Sequence, residues 1–165
     1  MDDTTIHNRR RVVELVKAAQ VAMLTTMTPQ GKHVSRPMGL QDAEFDGDLW
    51  FLADENSAKV AQIRAIPEVN VSFSDDKHHT WTSIAGRAEV VHNREKADQL
   101  FTPVLKAWFP EGVETPGLVL VKVESDSAEY WEGPTTTVAF VAGIVRAVVT
   151  GTPKKDPIRN DTVDL

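Results

Sequence analysis

Three short apolar runs with β-compatible composition stand close together early in this chain, with only turns between them. They are Val21–Thr26, His33–Asp42 and Leu49–Ala53. The first turn is Thr28-Pro29-Gln30-Gly31, and Asp46-Gly47 makes the second. Connections this short cannot hold a crossover helix, so successive strands must pair antiparallel. Pro37 lies inside the second run and has no N–H for a ladder, which sends that strand to an edge or a bulge.

The third run, Leu49 to Ala53, is apolar at every position and reads as a strand buried on both faces. It then turns polar, and Asn56 or Ser57 can cap a helix that runs to Ile66 and stops at Pro67. A helix start of this kind offers unpaired N–H groups and a positive dipole end, to which Ser57 adds a hydroxyl and Lys59 a cation. The pattern suits a phosphate, and it also suits an ordinary capped helix with a solvated lysine.

Elsewhere, Thr4–Gln20 reads as a helix with Val12, Val13, Val16 and Ala19 on one face. Val69, Val71 and Phe73 alternate with polar residues as a half-buried strand, and Thr80–Val91 reads as another. Asn93 can cap a helix whose spacing places Ala97, Leu100, Phe101, Val104, Leu105 and Trp108 on one face, with a kink or break at Pro103. On that pattern Trp108 belongs to the core. Leu118–Val123 is a strand that Ala128–Trp131 continues, and Val138–Val149 reads as a terminal helix ended by Gly151. This gives one domain over residues 1–150 and a polar tail, 151–165, that is either disordered or laid over a partner. The fold class is α+β, mainly β: an antiparallel sheet closing into a small barrel with peripheral helices.

Composition removes several classes of function. There is no cysteine, hence no disulfide, thiol nucleophile or thiolate metal site. Net charge is −6 and the pI about 5.3, unsuited to non-specific nucleic-acid binding. Arg9-Arg10-Arg11 reads as a solvated helix face. No run is long enough to span a bilayer and the start is acidic, so a cytoplasmic protein with no membrane partner is the expectation. No Rossmann, Walker or serine-elbow motif is present. His78-His79 stands in a polar loop and would need further ligands from elsewhere, so no metal site is assigned.

Two residues are left as candidates for anion chemistry. Arg36 lies between Ser35 and Pro37, one hairpin from Lys59, and the two can converge on one dianion. The alternative is a surface arginine paired with an aspartate such as Asp54. Trp50, Trp81 and Trp131 can be core, or border a flat aromatic ligand.

Taken in order, Ser35-Arg36-Pro37-Met38, Leu49-Trp50-Phe51-Leu52, Ser57-Ala58-Lys59-Val60-Ala61-Gln62-Ile63, Gly86-Arg87-Ala88-Glu89 and Glu129-Tyr130-Trp131-Glu132-Gly133-Pro134 resemble the pyridoxamine-phosphate-oxidase-like flavoproteins, in particular their general stress protein branch. The resemblance runs from about Val21 to Gly133. It implies an FMN-binding split β-barrel and a homodimer with two flavin sites at the subunit interface. Arg36, Pro37 and Met38 would line the flavin. Leu52 and Ala53 would lie along the ring or ribityl chain, and Ser57 and Lys59 would hold the phosphate. Trp81 takes a position where the oxidases often carry a polar flavin contact, and Trp131 would approach from the other subunit. Ala53 stands where the family often has threonine. Glu132-Gly133-Pro134-Thr135-Thr136-Thr137 replaces the arginine-and-histidine motif that grips pyridoxal phosphate in the oxidases, which argues against that activity.

The resemblance therefore implies an FMN-dependent oxidoreductase acting on an unidentified small substrate, in a stress-related setting. A non-catalytic flavin carrier, store or sensor is the alternative, because the residues name a phosphate seat but no catalytic acid or base. A deazaflavin- or haem-binding relative and a cofactor-free dimer are the further options.

Overall fold

The structure is a computed structural model that describes residues 3–41, 47–133 and 159–165. Helix α1 (Asp3–Ala18) leads into strand β1 (Val21–Met27), β2 (His33–Gly39) and β3 (Asp48–Asp54). Helix α2 (Ala58–Ala65) follows, then β4 (Glu68–Asp75), β5 (Thr80–Val91) and helix α3 (Arg94–Leu100). Two 3₁₀ turns, Pro103–Ala107 and Gly112–Glu114, precede the long strand β6 (Leu118–Glu132). The last described strand is β7 (Arg159–Asp164). The expected helix over Val138–Val149 lies outside the described residues.

All pairings are antiparallel, and the sheet runs β2-β1-β4-β5-β6-β3. Strand β6 serves two neighbours on one edge. Leu118–Glu124 pairs with β3, and Ser127–Glu132 pairs with β7. The expected closure into a barrel is not completed. Among the described residues, β2 pairs β1 alone and β3 pairs β6 alone, so the two ends of the sheet face each other unpaired, which is a split barrel. Pro37 lies on β2, an edge strand, as its missing donor requires.

The core follows from alternation. β3 buries Leu49, Phe51 and Ala53 into a cluster with Val12 and Val16 of α1, Leu24 of β1, and Val60 and Ile63 of α2. Its other face gives Leu52 to a second cluster with Ala97, Leu100, Leu105, Phe109 and Leu120. The third apolar run is thus buried on both faces, as its composition demands. Phe51 is fully buried, so Phe51→Ala would cost about 3–5 kcal/mol.

Two expectations need correction. Helix α3 stops at Leu100, so the expected break at Pro103 is found, but the apolar face is not carried on to Trp108. Pro103 lacks an N–H and forces Thr102 into extended backbone (φ −112°, ψ 153°), so the chain restarts as a 3₁₀ turn. Phe109 takes the buried position, and Trp108 is left 70% exposed. The second correction is the tail. Residues 159–164 are a strand of the chain's own sheet, with Val163 buried in the core.

Candidate functional site

The open seam between β2 and β3 is a cleft of about 990 Å³. One wall is β2 and the residues after it, Arg36–Gln41; the other is β3, with Leu52, Ala53 and Asp54. The end of α1 borders it through Val16 and Lys17, and the link to β1 through Ala19 and Gln20. The first 3₁₀ turn and the residues flanking it contribute Thr102, Val104, Leu105, Trp108 and Phe109. A volume of this size lies at the upper end of the range for small-molecule sites.

One end of the cleft carries two cations. Arg36 projects from the edge strand and Lys59 from the first turn of α2; both are half-buried and both border the cleft. Arg36 donates from Nη1 to the Leu24 carbonyl (3.0 Å) and from Nη2 to Oε1 of Gln62 (3.2 Å). Burial lowers its pKa below the ordinary arginine value. Lys59 is also lowered, first by burial and then by the nearby Arg36 charge, with Asp54 opposing. Among the described residues, no carboxylate lies within ion-pair distance of either cation. The pairing of Arg36 with Asp54 is therefore not found.

The turn that leads into α2 is held firmly. Asp54 Oδ1 accepts from the Asn56 N–H (2.8 Å), and the Glu55 N–H donates to the Gly117 carbonyl (2.7 Å). Ser57 is the N-cap residue by backbone position, but its hydroxyl donates to the Asp54 carbonyl (2.6 Å) and does not cap. By helix geometry the N–H groups of Ala58 and Lys59 have no intrahelical acceptor.

Of the nine residues singled out from sequence, Arg36, Pro37, Met38, Leu52, Ala53 and Lys59 border this one cleft. Ser57 stands at the head of α2 without bordering it. Trp81 and Trp131 pair with each other across β5 and β6, and neither borders the cleft of its own chain. Sequence reasoning missed Gln62 and Thr26, which stand behind Arg36, and Trp108, which its helical spacing had sent to the core. The available signal for Gln62 was its place one turn beyond Lys59 on α2. For Trp108 it was Pro103.

Among the described residues, no group of three His, Asp or Glu side chains could hold a metal ion. His78 Nδ1 meets Asp75 Oδ2 at 2.6 Å. No described helix is long and apolar enough to cross a membrane.

Comparison with known proteins agrees with this architecture. Protein bli-3 of Neurospora crassa is 30% identical over 142 residues, which cover 80% of this chain and 68% of that one. A provisionally named general stress protein 26 from Jannaschia sp. CCS1 matches with a TM-score of 0.74 at 23% identity, over 97% of this chain and 99% of that one. A general stress FMN/FAD binding protein from Xanthomonas citri gives a TM-score of 0.69 at 24% identity, over 80% and 93% of the two chains. These two structures share the fold. The family model described as pyridoxamine 5′-phosphate oxidase like matches residues 7–155. The chain belongs to the pyridoxamine 5′-phosphate oxidase-like family.

Proposed function

We propose that the cleft binds FMN, with its phosphate at the Arg36–Lys59 end, and that the protein is an FMN-dependent oxidoreductase acting on a small substrate. The observation that carries this reading is the pair of half-buried cations with no carboxylate in ion-pair range among the described residues. An arginine fork, a lysine and the free N–H groups of a helix start suit a dianionic ester. The remaining length of the cleft is bordered by Met38, Leu52, Trp50 and Trp108, which suits a flat apolar ring. The flavin, when bound, supplies the redox chemistry; the chain supplies binding, orientation and charge. The family membership and the FMN/FAD-binding name of the Xanthomonas citri structure support a flavin as the ligand.

The reading includes a homodimer with the cleft at its interface. Val21, Val104 and Trp108 are exposed by 58%, 69% and 70%, and all three border the cleft. An apolar rim around a polar-ended cleft is what a second subunit would cover. Trp131 would then reach a flavin only from the partner copy.

Titration of the purified protein with FMN and with riboflavin, followed by absorption and fluorescence, tests the assignment. FMN should bind and riboflavin, lacking the phosphate, should bind more weakly. Arg36→Ala should weaken FMN by about 10–100-fold, the scale of a lost charge-assisted hydrogen bond. Equal affinity for FMN and riboflavin would overturn the phosphate assignment.

A non-catalytic flavin carrier, store or sensor is favoured by one specific observation. Among the described residues, the acidic groups on the cleft are Asp48 and Asp54. Asp48 is paired with Lys122 at 3.1 Å, and Asp54 holds the β3–α2 turn. Each carboxylate already serves a structural contact, and no histidine or tyrosine is among the described residues that border the cleft. Mixing the FMN-loaded protein with NADH or NADPH in a stopped-flow instrument separates the readings, since rapid bleaching of the flavin supports turnover.

A further inference from the structure

We infer that Gln62 is a positioning residue that aims Arg36 into the cleft while leaving its charge uncompensated. The inference rests on the proposed anion site and adds to it the residue that keeps the site cationic.

Gln62 lies on α2, three residues after Lys59, and does not border the cleft. Its Oε1 accepts two hydrogen bonds, from Arg36 Nη2 (3.2 Å) and from the hydroxyl of Thr26 (2.6 Å). Thr26 is on β1 and is 1% exposed. The Leu24 carbonyl, also on β1, takes Nη1. The guanidinium is therefore gripped at two nitrogens from behind, and its remaining N–H groups are left for the cleft.

Both acceptors are neutral, and that is the point of the arrangement. A carboxylate at position 62 would accept the same two hydrogen bonds with a shorter, stronger contact to Arg36. It would also cancel the charge that an anionic ligand needs. An amide oxygen orients the fork without competing for it. The guanidinium has donors only and so requires the oxygen end of the Gln62 amide, and Thr26 completes the device by donating its hydroxyl to that same oxygen.

Gln62→Glu separates this role from a structural bridge between α2 and β1. It is close in size and keeps both acceptances. Binding is read for FMN, for riboflavin and for inorganic phosphate, the last through its effect on the thermal midpoint. The expected result is a melting temperature at or above that of the original protein. FMN should bind at least about tenfold more weakly, stabilisation by phosphate should be lost, and riboflavin should bind unchanged. A purely structural role predicts the opposite: FMN and riboflavin affinities move together and follow the melting temperature. Thr26→Val leaves the charge in place and should weaken FMN by only a few-fold.

A Gln62→Glu protein that binds FMN as well as the original overturns the inference. A protein that ignores FMN yet is stabilised by phosphate through Arg36 and Gln62 overturns the flavin assignment and leaves the inference standing. Indifference of the original protein to both anions overturns both.

Discussion

Lys59 is held in a state that an anion should change. Burial and the Arg36 charge both disfavour its ammonium form, and Asp54 offsets them only in part. In the free protein it therefore releases its proton below the ordinary lysine range. Between that lowered value and the ordinary one, the unfolded chain binds more protons than the folded chain, so Lys59 makes stability rise with pH across that window. A bound phosphate works in the other direction, since it favours the ammonium and raises the pKa again. FMN affinity should accordingly fall as pH rises through the lowered Lys59 value, and binding below it should need no proton uptake at this group. Isothermal titration from roughly pH 7 to 10 reads the slope. Lys59→Arg should flatten it, because arginine keeps its charge throughout. An unchanged slope in that variant would mean that another group is linked to binding.

The strands of this fold stand or fall on backbone fit, and one position shows it. β5 and β6 pair along nearly their whole length, with a register shift between Ala85 and Gly86 that takes Gly86 opposite Ser125. A Cβ at Gly86 would collide with the Glu124 carbonyl oxygen and lie 3.1 Å from its carbon and 3.2 Å from the Ser125 Cα. Those atoms are backbone and cannot turn aside. Gly86→Ala should destabilise by about 1–3 kcal/mol, read as a lower urea midpoint with an unchanged slope. Elements like these were legible where local pattern and backbone agreed. The alternation at Val69, Val71 and Phe73 and the turn at Gly31 needed nothing from elsewhere in the chain. The spacing that sends Trp108 to the core continues past Pro103 as if the backbone could follow, and it cannot. β7 was illegible for a different reason. Asn160, Asp161, Thr162 and Asp164 give no apolar alternation, and the strand exists because β6 offers it an edge. The candidate site divides in the same way. Arg36 and Lys59 could be placed together because each sits on a clearly patterned element. Gln62 and Thr26 could not, since their meeting depends on how α2 packs over β1.

The split in the sheet governs the molecule as a whole. Among the described residues both edges, β2 and β3, are open and look onto the same cleft, and edge strands left open invite pairing or cover. Val104, on the first 3₁₀ turn, and Trp108, just after it, stand at the rim over the buried Leu105 and Phe109, so their side chains contribute little to the fold of one chain. Their exposure has a use if a second copy lies over them. Val104→Asp tests this with its own folding control, because an aspartate at a position 69% exposed should change monomer stability by no more than about 0.5 kcal/mol. Light scattering on the original protein should give twice the 18.2 kDa chain mass at micromolar concentration. The variant should move toward the single-chain mass, since an unpaired charge at the core of an interface is strongly unfavourable. FMN affinity should fall with it, because the cleft loses its cover and any aromatic contact from the partner. A single-chain mass for the original protein would remove the dimer from the proposal while leaving the anion end of the cleft untouched. A variant that stays dimeric would place the interface on another face of the sheet.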